Sequence, residues 1–361
     1  MSQASANPSP EENEAIGLRK AVRLMVVLLV GFMVMYSTYY YINTANQYRS
    51  VVAFTQTMPD TRMMVHPGMA FTPSTNALFS LSTQIALQDN GKLRVPASLH
   101  WPALDSLAPQ MAAALPERQH IRYAGVPQNP QMDSLTLELN KRFPRHPPAE
   151  YQAFTNAPLW LSYHFEQWAY LPEVRLNPSG MRFGDHAVRS LRFLPLVEKP
   201  EGMEPPERAL SVLSAPGLQA LRIDKPDKNT QFVLCKVKPE PTLWGTYEKC
   251  QRLIDQDRFS LASDTVPIEW PILDFNLIHS GKVAAAGSQD SIRQYFQCKM
   301  QLTSSEVAVG REKFYKVPDG ETSRDFIFDG PFLLIGRKTG QSYPYLLAWI
   351  ANREVLINQY E

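Results

Sequence analysis

The sequence predicts an α+β domain with a mainly antiparallel sheet, joined to a single transmembrane helix near the N-terminus. Two observations favour this class. One long uncharged apolar segment follows the first 23 residues, and from residue 159 onward short apolar or alternating runs lie between turn residues. These runs do not alternate regularly with helices, so the pattern does not indicate a parallel α/β sheet.

The chain divides into four predicted segments. We predict a cytoplasmic tail over residues 1–23, a transmembrane helix over residues 24–43, a stem over residues 44–75 and an exported α+β domain over residues 76–361. The tail is polar and contains prolines, as is typical of segments that form no core.

The membrane segment reads LMVVLLVGFMVMYSTYYYI over residues 24–42 and contains no ionisable acid or base. Its length matches the hydrocarbon core of a bilayer. Arg19, Lys20 and Arg23 precede it, and the next positive charge is Arg49. The positive-inside rule therefore predicts a cytoplasmic N-terminus and a main domain in the periplasm or outside the cell. A cleaved signal peptide is the alternative, but no A-x-A cleavage site follows the run.

Composition limits the classes of partner. The chain has 36 basic and 35 acidic side chains, a net charge of +1, which disfavours nucleic acid because its binding depends on neutralising phosphates. At 44% hydrophobic and 20% charged, the chain can bury a core. We therefore predict two partners, the membrane and another protein.

Three cysteines are present, at Cys235, Cys250 and Cys298, and none lies in a metal-ligand spacing. If the domain is in an oxidising compartment, one pair could form a disulfide and leave one thiol. Otherwise all three are reduced, buried cysteines. The sequence leaves these alternatives open.

The periodicity of apolar residues predicts the remaining elements in order. Residues 76–87 indicate a helix that ends at Asp89-Asn90-Gly91, and residues 104–114 a second helix. Further elements follow: strands at 159–163 and 187–194, a hairpin of 218–223 with 231–237, a helix at 243–254, an extended stretch at 268–278, a helix at 288–297, and strands at 299–309, 328–337 and 345–350.

The last third of the chain resembles a known family. Residues 326–337 read FIFDGPFLLIGR and residues 345–350 read YLLAWI. They resemble the C-terminal hairpin of serpins, in which a pattern close to F-x-x-D-x-P-F-L-x-x-I-x is followed by a short turn and an apolar strand. Residues 268–277, IEWPILDFNL, are similar to a serpin strand of the form L-P-K-F-x-apolar, with two extra residues after Pro271.

Two more segments extend the resemblance to residues 218–350. Residues 297–306, QCKMQLTSSE, are in the place of the strand that leads to the serpin reactive loop, and the hairpin from 218 to 237 has a serpin counterpart. The resemblance implies a truncated serpin-like fold. In it, the strand ending at Glu306 lies in a central sheet, and residues 332–335 and 346–350 pair in a second sheet.

The resemblance also bears on function. Inhibitory serpins insert a cleaved loop into a sheet, which requires small residues in the hinge. Here Glu306 is followed by VAVGREKFY, which carries bulky and charged residues. We therefore expect a non-inhibitory, non-catalytic domain that binds a protein. The alternative is an active serpin-type inhibitor that uses the 306–325 loop, in which four basic residues suit a trypsin-like protease: Arg311, Lys313, Lys316 and Arg324.

Catalytic motifs are not found in the sequence. It contains no HExxH, GxSxG or phosphate-loop pattern, so we predict no catalytic, metal or cofactor-binding residues. His164 and Glu166 share a strand face, which we interpret as a solvated polar pair. A second alternative to the non-catalytic binding domain is an enzyme whose site assembles only in space.

Four aromatic residues near His164 and Glu166 are either core or a patch for a protein partner: Trp160, Tyr163, Trp168 and Tyr170.

Overall fold

The computed structural model describes eleven longer ranges, the short range 113–116 and the single residues 101, 103, 107 and 111. The ranges are 22–39, 58–88, 120–125, 129–142, 159–168, 174–193, 210–224, 229–262, 266–284, 291–302 and 326–359. The chain forms two compact units, Met1–Phe54 and Thr55–Glu361.

The described part of the first unit is one helix, α1 (Val22–Tyr39), with the length and apolar composition to cross a bilayer. Eighteen residues at 1.5 Å rise give about 27 Å, close to the hydrocarbon thickness. Its large apolar side chains are between 52% and 69% exposed. A helix that is apolar on every side is typical of membrane spans and of signal sequences.

The second unit is built mainly from strands. In chain order its described elements are β1 (Thr61–Met64), β2 (Asn76–Ser80), α2 (Leu81–Gln88), β3 (His120–Gly125), α3 (Asn129–Arg142), β4 (Leu159–Trp168), β5 (Val174–Phe183), β6 (His186–Phe193), β7 (Leu210–Ala215), β8 (Leu218–Asp224), β9 (Thr230–Val237), α4 (Leu243–Asp255), β10 (Ser260–Leu261), β11 (Ile268–Pro271), β12 (Leu273–Ala284), β13 (Ser291–Leu302), β14 (Phe326–Ile327), β15 (Phe332–Lys338) and β16 (Pro344–Ile350). Mixed strands and few helices make this an α+β fold, as predicted.

The largest sheet has the strand order β1-β2-β16-β15-β9-β8-β7-β10. Every neighbouring pair is antiparallel except β1 and β2. Every residue of β16 is buried, and so are the first five of β15. Continuous apolar runs of this kind are typical of strands with both faces covered. This central hairpin is the one that the serpin resemblance predicts in a second sheet.

Two four-stranded sheets complete the described part of the unit, with the orders β14-β11-β6-β5 and β12-β13-β4-β3. Strand β13, which leads toward Glu306, lies between β12 and β4 and not at an edge. The arrangement that the resemblance implies, one strand inside a central sheet and the C-terminal hairpin in another, is therefore present.

The helix predicted over residues 288–297 is wrong, because β13 covers Ser291–Leu302. Its even positions carry Ile292, Phe296, Cys298, Met300 and Leu302, which is the period of a strand. Pairing with strands on both sides favours this period over the short helical pattern.

The helix predicted over residues 76–87 is half correct. Residues Asn76–Ser80 form β2, which pairs with β16, and the helix α2 begins only at Leu81. All five β2 residues are buried because the strand is inside the large sheet. The hairpin of β8 and β9, the helix α4, and strands β4, β6, β15 and β16 confirm the predictions for those segments.

The predicted stem, residues 44–75, includes part of the folded unit. Strand β1 lies inside that range, and Met63, Met64 and Val65 are buried. The sequence pattern missed β1 because four residues are too few to establish a period.

One buried side chain joins the two ends of this unit. Asn76 Oδ1 accepts hydrogen bonds from the backbone N–H groups of Ala351 (2.7 Å) and Asn352 (3.1 Å). Its Nδ2 donates to Thr61 Oγ1 (3.1 Å) and to Asn352 Oδ1 (2.7 Å). Glu354 adds a second link, because it accepts from Thr61 Oγ1 and from the backbone N–H of Asp60.

Replacing Asn76 with Asp is expected to lower the free energy of unfolding by about 3 kcal/mol. The substitution puts a carboxylate oxygen in the place of the donor Nδ2, so that this oxygen faces the acceptor oxygens of Thr61 and Asn352. Denaturant unfolding of the full chain in detergent micelles measures this. The matched control Gln256→Glu, at an exposed site, is expected to change stability by less than about 0.5 kcal/mol. Equal stability of the two variants would contradict the role of Asn76.

Candidate functional site

Five residues were predicted for the reactive-type loop, and all lie outside the described residues: Glu306, Arg311, Lys313, Lys316 and Arg324. Tyr170 also lies outside them. The structure does describe both flanking strands. Strand β13 ends at Leu302 in one four-stranded sheet, and β14 begins at Phe326 in the other. Residues 303–325 therefore connect two different sheets.

Strand β13 has β4 as its neighbour on one side. Strands β13 and β4 are parallel, and ten consecutive residues pair, from Arg293 with Leu159 to Leu302 with Trp168. An additional strand can enter between them only if this whole ladder separates. The sheet is closed at the position where an inserted loop would lie.

A buried polar cluster holds β4 to the elements beneath it. Ser80 Oγ lies 2.9 Å from His164 Nδ1 and 3.0 Å from Ser82 Oγ. Ser82 Oγ lies 2.6 Å from Ser162 Oγ, and Thr83 Oγ1 donates to Ser162 Oγ at 3.5 Å. Ser80 ends β2, Ser82 and Thr83 are in the first turn of α2, and the other two residues are on β4.

The same cluster continues across the sheet. Backbone register places Cys298 of β13 opposite His164, and His164 opposite His120 of β3. The rings of His120 and His164 meet edge to face with centroids 5.4 Å apart. A thiol-bearing residue and two histidines thus occupy one row of three neighbouring strands, a combination that the sequence spacing did not indicate.

The cluster is enclosed in the protein. Ser80, Ser82, Ser162 and His164 are each at most 1% exposed, and His120 is 5% exposed. The interpretation of His164 as part of a solvated pair is therefore wrong, since α2 covers this face of the sheet. A substrate has no access to a Ser–His pair at this depth. The hydrogen bonds instead stabilise the packing of α2 on β4 and β3.

The aromatic candidates on β4 do not all belong to the same alternating set of strand positions. Successive strand residues alternate between faces, so positions 160 and 168 are in phase with the buried Ser162 and His164, and position 163 is out of phase. Whether Trp160, Tyr163 and Trp168 contribute to a partner surface stays a prediction.

A second buried polar group fixes the sheet that contains β14. Glu269 on β11 accepts hydrogen bonds from Asn177 Nδ2 (2.6 Å), Ser190 Oγ (2.5 Å) and Arg192 Nη2 (2.9 Å). These donors come from β5 and β6, so the carboxylate ties three strands together. Lys236 Nζ of β9 donates to the backbone carbonyl of Ile327 at 3.1 Å. This hydrogen bond joins β14 to the large sheet.

Comparison with known proteins follows this geometry. The sequence matches no protein-family model and no curated protein sequence. Solved serpins are among the structures that align with the chain. Manduca sexta serpin-12 is 9% identical, with 78% of this chain and 94% of that chain covered and a TM-score of 0.45. Protease nexin-1, solved with heparin, is 10% identical, with 78% of this chain and 93% of that chain covered and a TM-score of 0.45. Thyroxine-binding globulin in complex with thyroxine is 11% identical, with 78% of this chain and 94% of that chain covered and a TM-score of 0.44.

These alignments are with the family that residues 218–350 resemble, and the predicted resemblance is confirmed. With identities of 9–11% and TM-scores below 0.5, the three neighbours carry no argument about activity. The likeness concerns the fold alone.

A double-mutant cycle tests the polar cluster. Ser82→Ala and Ser162→Ala are each expected to destabilise the protein, and the pair is expected to show a coupling of about 1 kcal/mol because the two hydroxyls bond each other. Unfolding free energies of the single and double variants give the coupling. The control pair Ser82→Ala and Ser190→Ala joins separate clusters and should be additive. Additivity of the first pair would contradict the cluster.

Proposed function

We propose that this chain is a single-pass membrane protein whose α1 segment, with flanking residues over 24–43, crosses the bilayer. Its N-terminus is cytoplasmic and its serpin-like unit is periplasmic or extracellular. The exposed apolar surface of α1 and the basic residues Arg19, Lys20 and Arg23 support this topology. The domain boundaries predicted from the sequence, with the stem shortened by β1, belong to the same proposal.

The exported unit, in this proposal, binds a protein and neither catalyses a reaction nor traps a protease. The observation that carries the proposal is the sequence of residues 306–315, which has bulky and charged residues where an inserted strand needs small ones. A loop inserted between β13 and β4 would replace the ten residue pairs of these strands with pairs to both strands, while the hydrogen bond between Ser82 and Ser162 holds β4 to α2.

The connecting segment itself also opposes insertion. Along residues 306–315, one alternating set contains Glu306 and Glu312, and the other contains Arg311 and Lys313. A strand inserted in either phase would place charges against the covered face of the sheet, and unpaired buried charge is strongly unfavourable. The segment is better suited to contacts with a partner than to burial.

Exposure to trypsin separates binding from inhibition. Arg311, Lys313, Lys316 and Arg324 provide cleavage sites, and we expect simple cleavage in 306–325 without an SDS-stable covalent complex. We also expect no rise in melting temperature after cleavage, because no strand is added to the sheet. An inhibitory serpin treated in parallel shows that complexes are detectable. A stable complex with this chain would establish the inhibitor alternative and overturn the proposal.

Crosslinking in membranes followed by pull-down tests the protein partner. We expect the wild-type chain to recover the same protein repeatedly, and a variant with Trp160→Ala, Tyr163→Ala and Trp168→Ala to lose at least about tenfold of it, since aromatic residues dominate binding energy. The control Leu137→Ala changes a residue of α3 that is 71% exposed and should bind normally.

The folded state of the triple variant is checked by its melting temperature. A folded variant with unchanged recovery would exclude these aromatic residues from the interface, and an unfolded variant would assign them to the core. Repeated failure of the wild-type chain to recover any partner would overturn the binding function itself.

A further inference from the structure

Two of the three cysteines meet in the core of the large sheet. Cys235 is on β9, the fifth of the eight strands, and Cys250 is on α4, which packs against that sheet. Both are free thiols and both are 0% exposed. Cys298 is on β13 in a different sheet, so the structure selects one pair among the three that the sequence allows.

The two elements are in contact, and each of them buries its cysteine. The buried stripe of α4 contains Leu243, Thr246, Tyr247, Cys250 and Ile254, the spacing of one helix face. Thr242 fixes the start of this helix, because its side chain accepts a hydrogen bond from the N–H of Gly245 at 3.0 Å. The thiol of Cys250 is among the groups that raise the pKa of Cys235.

We propose that Cys235 and Cys250 form an intramolecular disulfide when the chain folds in an oxidising compartment, which rests on the proposed export of this domain. A disulfide-bearing oxidant, of protein or glutathione type, accepts the two electrons. One Sγ–Sγ bond forms in this chain, the oxidant's S–S bond is cleaved to two thiols, and the two protons of the cysteines pass to those thiols.

Burial determines when the reaction occurs. Desolvation, together with the hydrogen bond to Cys250 and the proximity of its thiol, raises the pKa of Cys235 well above its ordinary value, against a smaller lowering effect of Arg337. The thiolate is the attacking species, and a buried thiol is both protonated and shielded from the oxidant. The bond therefore forms during folding, and a chain that folds with reduced thiols stays reduced.

The crosslink closes a loop of 16 residues, from 235 to 250, around the connection between β9 and α4. A loop of this length is worth about 3 kcal/mol through its restriction of the unfolded chain, so the oxidised protein is expected to melt about 5 °C above the reduced protein. Because β9 is an interior strand of the large sheet, the crosslink stabilises the centre of the fold and not its edge.

Counting thiols after refolding tests the pairing. The full chain is denatured, reduced, and refolded in detergent micelles with a mixture of reduced and oxidised glutathione, then alkylated under denaturing conditions. We expect one alkylated cysteine, Cys298, and a peptide of Cys235 joined to one of Cys250. Three alkylated cysteines, or a crosslink that includes Cys298, would overturn the proposal. The matched control Cys298→Ala should retain the crosslink and show no alkylated cysteine.

Alkylation of the chain taken directly from cell membranes tests the location separately. The same crosslink in that material supports both the pairing and the export of the domain. A crosslink that forms in glutathione but is missing from the cellular material would count against the exported location, while the pairing of the two thiols would stand.

Discussion

The amide of Asn76 is the contact on which the rest of the second unit, Thr55–Glu361, depends. It bonds β1 on one side and the residues after β16 on the other, so one side chain fixes the first and the last strands of the chain in one sheet. Asn76 is 1% exposed, and a buried amide is favourable only when its donors and acceptors are satisfied. The correct ends of the chain satisfy them, so the amide specifies topology as well as contributing stability.

Polar groups have the same role at the other junctions. The apolar core is non-directional and would tolerate small slips of one strand past another, whereas Glu269 fits only the donors of Asn177, Ser190 and Arg192. Ser82 and Ser162 likewise define how α2 lies on β4. The closed ladder between β4 and β13 follows from this arrangement, because β4 is held from beneath along the strand whose movement would open the sheet.

Prediction from the sequence succeeded where local pattern and tertiary environment agreed. The apolar runs of β15 and β16 and the stripe of α4 report their burial directly. Residues 288–297 were predicted incorrectly as a helix because a short helical spacing competed with strands that pair on both sides. Residues Asn76–Ser80 were also predicted as a helix, because the partner strand β16 that makes them a strand is far away in sequence. The Ser80–His164 contact and the Cys235–Cys250 pair could not be predicted, since no local period records contacts between distant segments.

The pairing of β2 with β16 has a consequence for how the protein is made. Translation produces β2 more than 260 residues before β16, so β2 lacks the neighbour that covers one of its edges until β16 has been made. Unpaired apolar strands associate readily with other chains. Until β16 has been made, the edge of β2 that β16 covers is thus open to pairing with other chains, and the large sheet is complete only after the two strands pair.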